Sequence, residues 1–109
     1  MLPAGVLREV VVIEKAEEHR NELGETVQTS WHEVARRRAN IEPIAYSEIQ
    51  RQGQTAGTAT HTVRMRFLPQ LAGGMRLRWE NRENRLLYVS SVVEKGRREE
   101  QEVTCEERQ

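Results

Sequence analysis

Apolar and polar residues alternate most cleanly over residues 58–68, TATHTVRMRFL, where Val63, Met65 and Phe67 take turns with Thr62, Arg64 and Arg66. A period of two puts the first set on one face of a strand and the second set on the other. Downstream, Pro69 and Gly73-Gly74 mark a turn before a second run at 75–80. A turn over 81–85 leads to a third run at 86–93, and another over 94–98 leads to a fourth at 99–106. Four strands at this spacing, divided by turn signals, predict an antiparallel all-β meander or small barrel.

Upstream the pattern is less regular. Residues 8–15 contain Val10-Val11-Val12-Ile13, β-branched throughout and apolar on both faces, so the strand they predict needs cover on both sides. The barrel interior supplies one cover, and a loop or a neighbouring subunit the other. Residues 16–25 are polar, with Asn21 and Gly24 as turn formers, and read as a long hairpin connection to a second strand at 26–31. Residues 30–41 point two ways. Ser30 and Glu33 have capping-box spacing and EVARRRA favours a helix, whereas a strand would put Ala35, Ala39, Ile41 and Pro43 on one face with Arg37. Residues 43–57 are rich in Gln, Gly, Ser and Thr, a connection with a short helical possibility over 47–52. Connections of that length are usually functional or disordered.

The 109 residues suit a single domain, with residues 1–7 as a loose arm around Pro3 and Gly5 and residues 107–109 as a frayed tail. Hydrophobic residues make up only 37% of the chain, so the core is thin and further burial against a partner subunit is plausible on composition. Charge balances at 17 basic against 17 acidic residues, which removes any overall pull towards nucleic acid or membrane. Its distribution is uneven: residues 1–33 carry seven acids and three bases, residues 34–85 ten arginines and four glutamates. Two complementary regions suit head-to-tail contacts between subunits. Every acid is Glu, and 15 of the 17 bases are Arg, the residue that pairs with carboxylates in planar, bidentate fashion.

Chemistry-bearing motifs are missing. The single Cys105 rules out an internal disulfide or a cysteine cluster and fits a reducing compartment. No two of His19, His32 and His61 stand at helical spacing and no HxH or HExxH occurs, so no metal or other cofactor is expected and exposed loop or strand positions are the default for them. Without Asp, and without a GxSxG or a phosphate-loop Lys-Ser/Thr after Gly73-Gly74, no catalytic residue is predicted. The N-terminus lacks the basic stretch and long apolar run of a secretory signal, and Val10–Ile13 is too short to span a bilayer; a soluble product with no membrane partner is expected. Arg36-Arg37-Arg38 with Arg64, Arg66, Arg76 and Arg78, beside Trp31, Phe67, Trp79 and Tyr88, make the case for an OB-like barrel binding single-stranded nucleic acid. Zero net charge and few aromatics argue against it.

The order of these features resembles the head–tail joining, or head-closure (stopper), proteins of long-tailed phages and prophages. The matching residues are Gly5-Val6-Leu7-Arg8 before VVVI, a polar hairpin NELGETVQTSW ending at Trp31, and Ala39-Asn40-Ile41-Glu42-Pro43-Ile44 followed by Ser47-Glu48. THTVRMRF, LPQLAGGMRLRW, Arg85 with Val89 and Val92, Gly96-Arg97-Arg98 and Val103-Thr104-Cys105-Glu106 continue the match to the end. Arg38 replaces an aromatic usual in the family, and Leu87 a tyrosine. The resemblance implies a small antiparallel β-barrel of about six to seven strands with long loops and at most one short helix, and makes 34–41 a strand.

It also implies a non-enzymatic virion protein that forms a ring at the head–tail junction, made in the host cytoplasm before assembly. Its expected partners are copies of itself, the portal–adaptor and tail proteins, and packaged double-stranded DNA held without sequence preference. On this reading the connections at 16–25 and 43–57 face the lumen or a neighbouring ring. Ser47, Glu48, Arg51, Gln52 and Gln54 become candidate lumen or inter-subunit residues, and Arg64, Arg66 and Arg76 candidate interface arginines. The isolated protein is expected to be a monomer with a mobile 43–57 loop.

Overall fold

The computed structural model describes residues 4–44 and 59–108. Among them are six antiparallel strands: β1 (Glu9–Arg20), β2 (Thr26–Pro43), β3 (His61–Arg66), β4 (Arg76–Trp79), β5 (Arg85–Lys95) and β6 (Glu100–Arg108), with one short 3-10 turn at Ala4–Val6. The strands close into a barrel in the order β1-β2-β3-β6-β5-β4. The all-β barrel expected from the alternating pattern is therefore what forms. It is not a plain meander, however. After β3 the chain crosses the end of the barrel to β4, and β3 takes β6 as its neighbour, with Val63 opposite Val103 and Met65 opposite Gln101.

The period of two explains the interior. His61, Val63 and Met65 point inward while Arg64 and Arg66 are exposed. Val11, Ile13, Ala39, Leu77, Trp79, Leu87, Val89, Val103 and Cys105 join Val63 and Met65 in one buried cluster. The crossing segment closes one end of the barrel with Leu68, Leu71 and Met75. Gln101, itself only 3% exposed, holds that plug: its side-chain amide donates to the Leu68 carbonyl at 3.2 Å and accepts the Leu68 N–H at 3.1 Å. A buried side-chain amide that satisfies both groups of one residue replaces the ladder partner that a strand would have supplied.

Three expectations change. Residues 16–25 are not a long connection, because β1 continues to Arg20 and only residues 21–25 turn. The N-terminal residues are not all loose, since Leu7 is buried at 4% exposure. The tail is not frayed at Glu107 and Arg108, which belong to β6. Residues 33–41, which helix propensity claims, lie within β2, as the family resemblance implied. Pairing to β1 along one edge and to β3 at Ala39–Pro43 satisfies more backbone than an isolated short helix would, and tertiary context overrides the weak local preference. The outer face of β1 also finds its cover within a single chain: Val12 alternates with the core residues Val11 and Ile13, yet is fully buried. The 43–57 loop lies almost wholly outside the described residues.

Candidate assembly surface

Among the described residues, β1 has no strand neighbour beyond Glu14 except β2. Its pairing with β4 ends at Glu14–Arg76, whereas its pairing with β2 runs on to Arg20–Thr26. Residues 15–32 therefore form a two-stranded ribbon, exposed along most of both faces, and the molecule measures 48 × 31 × 30 Å. The arm ends in a turn that the sequence specifies. Asn21 Oδ1 accepts the N–H groups of Leu23 and Glu25 at 3.0 and 2.9 Å, and Gly24 takes φ +82°, a conformation glycine adopts without a Cβ penalty. Leu23 at the tip is 82% exposed and Val27 64%.

The root of the arm is anchored by charge and aromatics. At the step from Ile13 to Glu14 the register shifts, because β2 carries an extra residue, Val34, between the partners Ala35 and Glu33. Bulges of this kind bend a strand, and Val34 and Ala35 both pack against the core. The Glu14 carboxylate is nearly buried there and accepts from Arg76 at 2.7 Å and from Arg78 at 3.4 Å. The Arg76 guanidinium lies 4.1 Å from the centre of the Trp31 ring, and Trp31 meets Tyr88 edge to face at 5.8 Å. Arg108 joins this group, 4.5 Å over the Tyr88 ring. Cation–aromatic stacking and a nearly dry ion pair thus fasten the base of the ribbon to the barrel.

Further along the same strand pair, on the barrel, lies a cleft of about 200 Å³ lined by Leu7, Arg36, Arg37, Arg38 and Arg66. Arg36 bonds Glu80 at 3.1 Å, and among the described residues Arg37 reaches only the Arg36 carbonyl. Among the described residues no carboxylate pairs with Arg38 or Arg66.

The sequence-named arginines thus separate. Arg64 is exposed and 3.7 Å from Glu102 on β6, Arg66 opens onto the cleft, and Arg76, at 16% side-chain exposure, is engaged inside the arm root. Ser47, Glu48, Arg51, Gln52 and Gln54 lie outside the described residues. The arm itself escaped the sequence reading, although Asn21 and Gly24 marked its tip.

A second polar group surrounds the barrel end near His61, which is buried rather than in the exposed strand or loop setting expected of it. Its ring meets Trp79 edge to face at 5.9 Å, and Nδ1 lies 2.8 Å from the Thr60 hydroxyl. Burial pushes the His61 pKa down, with Arg85 adding to the effect and Glu107 opposing it. Arg85 donates twice to Glu107, at 2.5 and 2.7 Å, which holds the Glu107 carboxyl below its usual range and the Arg85 guanidinium above its own. The indole N–H of Trp79, 3.0 Å from Glu9, depresses the Glu9 carboxyl, with help from Asn81 and Arg82. These groups close a barrel end; among the described residues no cluster of His, Cys or Glu could hold a metal ion.

No curated protein matches the sequence. Among solved structures, the solution structure of protein SF1141 from Shigella flexneri 2a superposes with a TM-score of 0.77 at 18% identity, covering 97% of this chain and 96% of that one. A chain from the virion of a native gene transfer agent particle gives a TM-score of 0.61 at 17% identity, covering 93% and 96%. Both establish the same barrel fold. The sequence matches the family described as phage head completion protein over residues 2–108. The chain therefore belongs to the phage head completion protein family, and its role is a structural one in the phage head.

Proposed function

We propose that this protein is a non-enzymatic ring component at the head–tail junction, docking to the portal–adaptor side and to the tail and helping to retain packaged DNA. The observation that carries the reading is the division of the molecule into a plugged, closely packed barrel and a projecting arm with an exposed apolar tip. A barrel has no free sheet edge to mispair, so contacts with other proteins fall to the arm and to the loops. Family membership and the likeness to a chain of a gene transfer agent virion support a place in a particle.

The single-strand-binding alternative has less support. Its stacking platforms would be Trp31, Tyr88 and Phe67, and each already has a protein arginine over or against its ring, at 4.1, 4.5 and 4.6 Å, while Trp79 is buried. The test of the proposed role is electron cryo-microscopy of particles produced with and without the gene. A ring of this barrel at the junction, and DNA-leaking tailless heads in its absence, are the expected results. Full, tailed heads without the protein would refute the proposal.

A further inference from the structure

The β1–β2 ribbon has two poles of opposite charge. Its tip carries Glu22 and Glu25, and among the described residues neither meets a cation. Along the arm Glu18 pairs with Arg20, whose guanidinium also donates to the Gly24 carbonyl at 3.3 Å, and Glu17 hydrogen-bonds His32, which leaves Glu22 and Glu25 at the tip without an ion pair among the described residues. The other pole is the cleft of Arg37, Arg38 and Arg66, none of which meets a carboxylate among the described residues. Arg38 stands opposite Val10, ten residues along β1 from Arg20, and at the rise of a strand that separates the poles by about 30 Å. Within one chain the arm, fastened at its root, holds its tip away from the cleft. Leu23 adds an apolar knob at the acidic pole, 82% exposed in a chain whose other leucines are mostly core.

We infer that the arm tip of one copy, through Glu22, Leu23 and Glu25, docks into the Arg37–Arg38–Arg66 cleft of the next copy. The contact is heterologous, one surface to a different surface, and repetition of such a contact closes a ring when the rotation permits. It rests on the ring reading above and names the joint between neighbours. Complementary charge sets register and suppresses wrong pairings, and arginine suits a carboxylate partner better than lysine would.

The chain offers a clean crosslinking test, because its only cysteine, Cys105, is fully buried. Particles carrying Leu23→Cys together with Arg38→Cys, treated with a short bis-maleimide, are expected to yield a ladder of dimers, trimers and higher species on denaturing gels. Either single variant is expected to stop at the monomer. Charge reversal checks the same joint: Glu22→Arg with Glu25→Arg, or Arg38→Glu with Arg66→Glu, should each cut incorporation into particles at least tenfold, and the four changes together should restore it. Purified variants that remain folded by circular dichroism separate lost docking from lost fold. A visible ring without a ladder overturns the arm-to-cleft joint and leaves the ring standing; particles without a ring overturn both. Failure of the combined variant to recover, with DNA binding lost in Arg38→Glu/Arg66→Glu, would assign the cleft to phosphate and overturn the inference.

Discussion

Replacing Arg76 by alanine tests whether the arm is held by its root. In the native protein the Arg76 guanidinium donates to Glu14 at 2.7 Å and to the Tyr88 hydroxyl at 3.3 Å, and stacks 4.1 Å over Trp31. A hydrogen bond to a charged group contributes about 1.5–3 kcal/mol, and a partly desolvated cation–aromatic contact about 1 kcal/mol. Truncation also strips Glu14 of its closer partner, a loss softened because Arg78 remains at 3.4 Å. The sum is a destabilisation of about 3 kcal/mol, or roughly 10–20 °C in Tm for a domain of this size.

Two measurements check it. Urea unfolding gives the global loss, and hydrogen exchange of the amides over residues 15–20 and 26–32 shows whether the ribbon loosens first. Arg82→Ala serves as the comparison, since Arg82 is 62% exposed and only 3.8 Å from Glu9; such surface pairs contribute at most about 1 kcal/mol. If Arg76→Ala costs less than about 1 kcal/mol and leaves arm exchange unchanged, the root is not what orients the arm.

Further outcomes follow from the same geometry. Because burial depresses His61 below its ordinary 6.5, the unfolded chain takes up the proton first on acidification. Stability should therefore be full above that pH and decline as pH falls through it towards the folded value; His61→Gln should flatten this part of the pH profile of urea midpoints. Below about 4.5 a second decline should follow as Glu9 and Glu107 lose their Trp79 and Arg85 contacts, and Arg85→Ala should shrink it. Met65→Ala, at a fully buried position, should cost about 2–5 kcal/mol through lost burial and the cavity left behind, read from the shift in denaturant midpoint at constant slope. Cys105, whose thiol burial pushes up to about 12, should resist a thiol reagent at pH 8 until the protein unfolds; rapid labelling of the native protein would contradict the burial.

The barrel strands were legible because burial on one face leaves a period-two signature, and His61 to Arg66 carries it without interruption. Turn chemistry was legible for the same local reason. Asn21 and Gly24 make their turn with backbone groups no more than four residues away. The arm strands of residues 15–20 and 26–31 were harder, since a ribbon that leaves the barrel buries neither face and so writes no alternation; polar residues there look the same as loop. Helix propensity over 33–39 pointed the wrong way because the energy that decides the segment comes from β1 and β3, distant in sequence.

What the sequence by itself determined was the all-β class, the core face of β3 and the absence of any recognisable catalytic motif. Only the tertiary structure decided which arginines are spoken for. Arg66 and Arg76 occupy like positions in alternating strands, yet Arg76 meets a carboxylate 62 residues away while Arg66 meets none among the described residues. Strand alternation depends on neighbours two positions apart, whereas an ion pair depends on which strands the closed barrel sets side by side.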